Sequence, residues 1–213
     1  MELDLLLSRI NSTVLLEHIP SSNGFSFRED ILHKDPSVRK KAFFDLLDQA
    51  MLKMPTSKNI IKSMFNDAYL ISISEKYYYI YEGSDDGDVF FYISGVPLLK
   101  RQILGNVDIF YRHLDGFCDL NMQGGILPLH LIKLLGSDGY DYLEEPSASV
   151  ANRLLGENVH IFNSGGKGQG YLNIESTHST NPTAHVLWLD DDEPMIGIDF
   201  WDLMDNWTEI AIT

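Results

Sequence analysis

The sequence predicts an α+β fold with a largely antiparallel sheet, and three observations carry that prediction. Runs rich in β-branched and aromatic residues are punctuated by turn residues. These runs precede and follow helical stretches without βαβ regularity. The composition, 44% hydrophobic, 11% aromatic and 22% charged over 213 residues, is that of a chain able to bury a core. No internal repeat and no linker rich in Pro, Gly or Ser divides it.

In chain order, the first element is a helix over 36–54. Asp35 can cap it, Pro36 suits its first turn, and Val38, Ala42, Phe43, Leu46, Leu47, Ala50, Met51 and Met54 recur at helical spacing. Thr56 is placed to cap a short second helix carrying Ile60, Ile61, Met64 and Phe65. Three β-rich runs follow at 68–74, 77–82 and 88–94, with turn chemistry at 74–76 and 83–87, and read as an antiparallel meander. Pro97 opens an expected helix with Leu98, Ile103, Leu104, Val107, Phe110, Tyr111 and Leu114 as its stripe and Gly116 as its stop. Shorter helices are expected at 127–135 and 147–155, strands at 159–162, 170–174 and 184–189, and a last helix from Asp199 with Phe200, Leu203, Met204, Trp207 and Ile210 on one face.

Charge is distributed unevenly. Residues 1–76 carry ten basic and ten acidic side chains, whereas 77–213 carry six basic and 21 acidic, which accounts for the whole net charge of −15. Such a balance repels phosphate backbones and anionic lipid head groups, so neither direct nucleic-acid binding nor membrane binding is expected. No Lys or Arg follows Lys167, while Glu175, Asp190, Asp191, Asp192, Glu193, Asp199, Asp202, Asp205 and Glu209 do. That acidic third suits a basic partner; the plainer reading is that it only confers solubility. The acidic N-terminus is not a secretory signal, no apolar run reaches the roughly 18 residues of a membrane span, and the lone Cys118 fits a reducing compartment. A cytoplasmic location is expected.

Motifs for chemistry are absent or fail on context. The Gly165–Gly170 stretch lacks a P-loop's ending and leads into a strand, and Ser84–Asp88 begins like a calcium loop but reads as a tight acidic hairpin. None of the seven histidines lies three or four residues from another, and no Gly-x-Ser-x-Gly elbow occurs. No catalysis, cofactor or metal is expected.

The C-terminal half has a further pattern. Phe110-Tyr111-Arg112-His113-Leu114-Asp115-Gly116-Phe117, Ile126-Leu127-Pro128, Val159-His160-Ile161-Phe162 with the 165–170 glycine turn, Ala184–Leu189 with Asp190–Glu193, and Ile198-Asp199-Phe200-Trp201-Asp202-Leu203 occur in that order. Together they resemble the SUKH superfamily, best known for immunity proteins that neutralise bacterial polymorphic toxins. The Pro-x-x-(Tyr/Phe) opening of that family is blurred here, with Pro97 well upstream of Phe110-Tyr111, and residues 1–96 match nothing in its pattern. The resemblance implies a twisted sheet flanked by helices, a SUKH-like domain over 97–213, and an N-terminal helical and β-meander elaboration over 1–96 packed on it.

It also implies a function without chemistry: stoichiometric occlusion of a cognate toxin domain, one with a basic surface. The expected contact residues are the densest acids, Asp190, Asp191, Asp192 and Glu193 with Asp85, Asp86 and Asp88, together with Trp188 as an aromatic anchor. A regulatory or scaffolding module of the same fold is the alternative, and a hydrolase using scattered acids is a third reading that a metal-dependent thermal shift would reveal.

Overall fold

Alternation of apolar residues along successive strands, each joined to the next by a hairpin or a short excursion, produces one long sheet. The computed structural model describes residues 7, 13–20, 24–98, 104–137, 154–165, 168–188 and 194–212. Eleven strands are present among them: β1 Thr13–Leu15, β2 Phe65–Ile73, β3 Lys76–Asp85, β4 Asp88–Gly95, β5 Asp115–Asp119, β6 Gly124–Ile126, β7 Lys133–Leu134, β8 Asn158–Ser164, β9 Gly168–Asn173, β10 Thr183–Trp188 and β11 Met195–Asp199. Every pairing is antiparallel. The strand order is β1-β2-β3-β4-β5-β6-β8-β9-β10-β11, with β7 pairing β8 beyond β6. Among the described residues four α-helices have bounds, α1 Pro36–Ala50, α2 Pro55–Met64, α3 Asp108–Tyr111 and α4 Phe200–Ile212. The fold is therefore α+β with a large antiparallel sheet.

These four helices pack on one face of the sheet. Asp35 accepts a hydrogen bond from the Ser37 amide at 2.9 Å with Pro36 in the first turn, and α1 buries Ala42, Phe43, Leu46, Leu47 and Ala50, as its spacing predicts. Phe43 stacks on Tyr81 of β3 at 4.2 Å, and Tyr92 of β4 stacks on Phe117 of β5 at 5.2 Å. Each fully buried aromatic or leucine contributes on the order of 2 kcal/mol. The same core runs on to Phe162 of β8, which meets Trp207 of α4 at 5.0 Å. A smaller cluster of Ile71, Ile80, Ile93 and Cys118 occupies the other face, with Leu7 packed against it.

α2 begins at Pro55 rather than at a Thr56 cap. Its amide groups at Thr56 and Ser57 donate to the Asp205 carboxylate of α4, at 3.1 and 2.7 Å, so an acid 148 residues downstream does the capping.

The segment after Pro97 departs from the expected helix. Among its described residues, Leu98 bridges Phe25, a 3₁₀ turn covers Gly105–Val107, and α3 has only four residues. Gly105 is the reason: at φ +54° it is left-handed, and a Cβ there would meet the Thr177 carbonyl oxygen at 2.4 Å. Gly116, expected as a helix stop, sits inside β5. The helix expected at 127–135 is a 3₁₀ turn at Leu129–Leu131 followed by β7, because Pro128 and Ile132 hold extended backbone on either side. The helix expected over 147–155 lies outside the described residues except for its last two. Among the described residues no helix is long and apolar enough to cross a membrane.

Candidate functional site

The β3–β4 hairpin sets three carboxylates at one tip. Asp86 (φ +46°) and Gly87 (φ +93°) are both left-handed, which is the two-residue turn that Asp-Gly favours between right-twisted strands. The turn makes Asp85 and Asp88 direct cross-strand partners. Asp85, Asp86 and Asp88 are all exposed. Like charges opposite one another in a ladder destabilise it, and the described ion pairs lie elsewhere, on Arg28, Arg39, Lys41, Lys58, Lys62 and Arg112. The hairpin thus sets two carboxylates of like charge directly opposite one another.

β10 ends at Trp188, half-buried between Gly168 and the Trp207 ring at 4.9 Å. Trp188 therefore braces α4 against the sheet with one side and leaves the other to solvent. Asp190, Asp191, Asp192 and Glu193 follow it in sequence and lie outside the described residues.

Other acids of the C-terminal half have internal work. Asp115 accepts from the Leu129 amide at 2.8 Å, Asp119 from the Asn121 and Gln123 amides, and Asp199 from the Trp201 and Asp202 amides at the start of α4. Asp205 caps α2. These carboxylates satisfy amide groups that helix starts and turns leave open, and so need no lysine nearby. The spacing of Asp119 to Asn121 and of Asp199 to Trp201, an acid two residues before the amide it binds, is the sequence signal that marks them.

Three other polar features complete the molecule. Arg39 grips both carboxylate oxygens of Asp67 and the His33 and Lys34 carbonyls, and its guanidinium lies 5.0 Å from the Tyr69 ring centroid. This clamp ties α1 to β2 and lines a groove of about 410 Å³ with Leu15, Leu16, Glu17, Leu32 and Tyr69. On the face of the sheet away from the helices, His160, Tyr171 and His185 form one row across β8, β9 and β10. His160 is buried and its Nε2 lies 3.1 Å from the Phe162 carbonyl oxygen; burial pushes its pKa down to about 4. Cys118 is buried, and burial raises its thiol to about 12, which keeps it an inert core residue. Among the described residues, no three His, Cys, Asp or Glu side chains are grouped to hold a metal ion.

In comparison with known proteins, no family model, no curated protein and no solved structure matches the chain.

Proposed function

We propose that this chain is an immunity protein, a SUKH-like domain over 97–213 with the N-terminal elaboration over 1–96, that binds a cognate bacterial toxin domain and occludes its basic substrate groove. One observation supports this reading above the others: the β3–β4 hairpin presents Asp85, Asp86 and Asp88 together, exposed, with Asp85 and Asp88 directly opposed. Folding alone favours separating such charges, whereas a cationic partner is attracted by them. Their work is to speed encounter, which matters for an inhibitor that must intercept an enzyme before it acts. Asp190–Glu193 add their negative charge to the attraction in this proposal, and the exposed side of Trp188 supplies apolar contact. The mechanism needs complementarity and no turnover.

The Asp85→Asn/Asp86→Asn/Asp88→Asn variant tests the role of the hairpin. Asparagine suits the left-handed turn position and removes the cross-strand repulsion, so the melting temperature is expected to hold or rise slightly. Association with a purified candidate toxin domain that the chain inhibits should slow roughly fivefold at low ionic strength, and the deficit should shrink as salt screens the charges. Stopped-flow mixing across a salt series reads both quantities. An unchanged association rate at low salt removes the hairpin from the interface.

A further inference from the structure

The groove beside the Arg39 clamp is formed by two segments that main-chain hydrogen bonds hold in place. The Leu16 amide donates to the Leu70 carbonyl at 3.0 Å, which fixes the segment leaving β1 against β2. Arg39 Nη1 donates to the His33 and Lys34 carbonyls at 2.8 and 3.0 Å, which fixes the segment entering α1. The Arg39 and Asp67 side chains that anchor this second contact are only 13% and 11% exposed. Folding therefore sets the groove before any ligand arrives, and a ligand need not meet the cost of ordering it. Its volume of about 410 Å³ falls in the roughly 300–1,000 Å³ range of small-molecule sites.

The lining has a definite chemistry. Leu15, 41% exposed, joins Leu16 and Leu32 as the apolar part. Glu17 lines the groove from the first segment and Lys34 from the second, both exposed, so a carboxylate and an ammonium are offered by separate segments. Arg39 adds little to the cationic side, since both Asp67 oxygens neutralise it. His33 does add to it. Its Nδ1 accepts from the Asp35 amide at 3.0 Å, which leaves the hydrogen of the neutral ring on Nε2 and makes that nitrogen a donor. The second segment thus suits a carboxylate and the first an ammonium.

These charges select the occupant. A polyanion or a polycation would satisfy one segment and be repelled by the other, and the end of a long chain brings one terminal charge only. A small molecule with an ammonium, a carboxylate and an aliphatic body satisfies all three parts of the lining.

We infer that this groove binds a short zwitterionic peptide with aliphatic side chains, its ammonium on Glu17, its carboxylate on Lys34 and His33 Nε2, and its side chains on Leu15, Leu16 and Leu32. None of these residues belongs to the proposed toxin contact, so the site stands or falls separately from it.

The probe is leucyl-leucine, titrated into the full chain while the backbone amide resonances are followed by NMR. The Leu16, Glu17, Lys34 and Asp35 amides should shift together and saturate with a dissociation constant of about 1 mM or below. Acetylating the amino end or amidating the carboxyl end removes one charge and keeps both leucines, and each should weaken binding roughly fivefold or more. Two variants at exposed positions, which should keep their melting temperatures, assign the ends. Glu17→Gln should bind leucyl-leucine and its acetylated form alike, while still discriminating against the amide. Lys34→Gln should cut the penalty for amidation at least threefold and leave the penalty for acetylation. Absence of saturation at about 10 mM, or shifts confined to other amides, overturns the site. So does equal affinity of the unaltered chain for the free and capped dipeptides, which would reduce the groove to unselective apolar contact.

Discussion

Replacing Gly125 by alanine is expected to cost about 3 kcal/mol or more and to lower the melting temperature by about 10 °C. Gly125 lies in β6 at φ +112°, a conformation that L-residues rarely adopt. It is paired on both sides, with Cys118 of β5 and Asn163 of β8. A Cβ there would stand 2.3 Å from the Phe117 carbonyl oxygen and 2.8 Å from the Cys118 Cα, both main-chain atoms that cannot yield without moving β5. The consequence reaches the proposed function. β5 and β6 join the ladder carrying the 85–88 hairpin to the ladder carrying β10 and Trp188, so loosening them loosens the frame that holds both. Calorimetry on Gly125→Ala checks it; a melting temperature within 2 °C of wild type contradicts the tight β5–β6 packing.

Mild acid is expected to destabilise the fold before any carboxylate is involved. His160 is held near a pKa of about 4 by burial, against about 6.5 for a histidine in the unfolded chain. Because the folded value is the lower one, the stabilising contribution is fully present above pH 6.5, where both states are neutral. As pH falls, the unfolded chain takes up the proton and the folded one does not, so stability drains away between pH 6.5 and 4. His160 alone then loses about 2.5 kcal/mol by pH 4.5. His185 and His113 are also depressed by burial, and each adds to the loss in the same direction. Asp35 and Asp48 are lowered from 3.8, so their contribution is lost below that window, which isolates the histidines. Urea unfolding at pH 7.5, 6.5, 5.5 and 4.5 reads the slope. His160→Gln should flatten it by nearly one proton, and an identical slope in that variant contradicts the burial of a neutral imidazole in this row.

How far the sequence discloses this molecule depends on where local and tertiary forces agree. α1, with its Asp35 cap, and α4, with its Phe200–Leu203–Trp207 stripe, are legible because period and cap point the same way. β2, β3 and β4 are legible from their alternating aromatics and the Asp-Gly turn between β3 and β4. β5 and β6 are not: Asp115-Gly116-Phe117-Cys118-Asp119 and Gly124-Gly125-Ile126 have few β-formers, and they become strands because their neighbours offer a ladder. The stretches at 97–114 and 127–135 mislead in the opposite way. Their leucines and isoleucines fall at helical spacing, but Gly105 takes a left-handed conformation and Pro128 an extended one. The hairpin at 85–88 is visible in sequence as both turn and charge. The use of Asp115, Asp119, Asp199 and Asp205 as main-chain acceptors is less so, and for Asp205 the partner helix is too distant in sequence for any local pattern to show.

The account turns on binding without turnover, and titration of toxin activity tests it most directly. The full chain is added in increments to a fixed concentration of a candidate toxin domain, well above the dissociation constant, and residual toxin activity is read after each addition. The account predicts a linear fall to zero at one equivalent, with toxin and chain both recovered intact from the complex. Inhibition completed by a small fraction of an equivalent would show a catalytic mode of protection. Undiminished activity at several equivalents would contradict the immunity function itself.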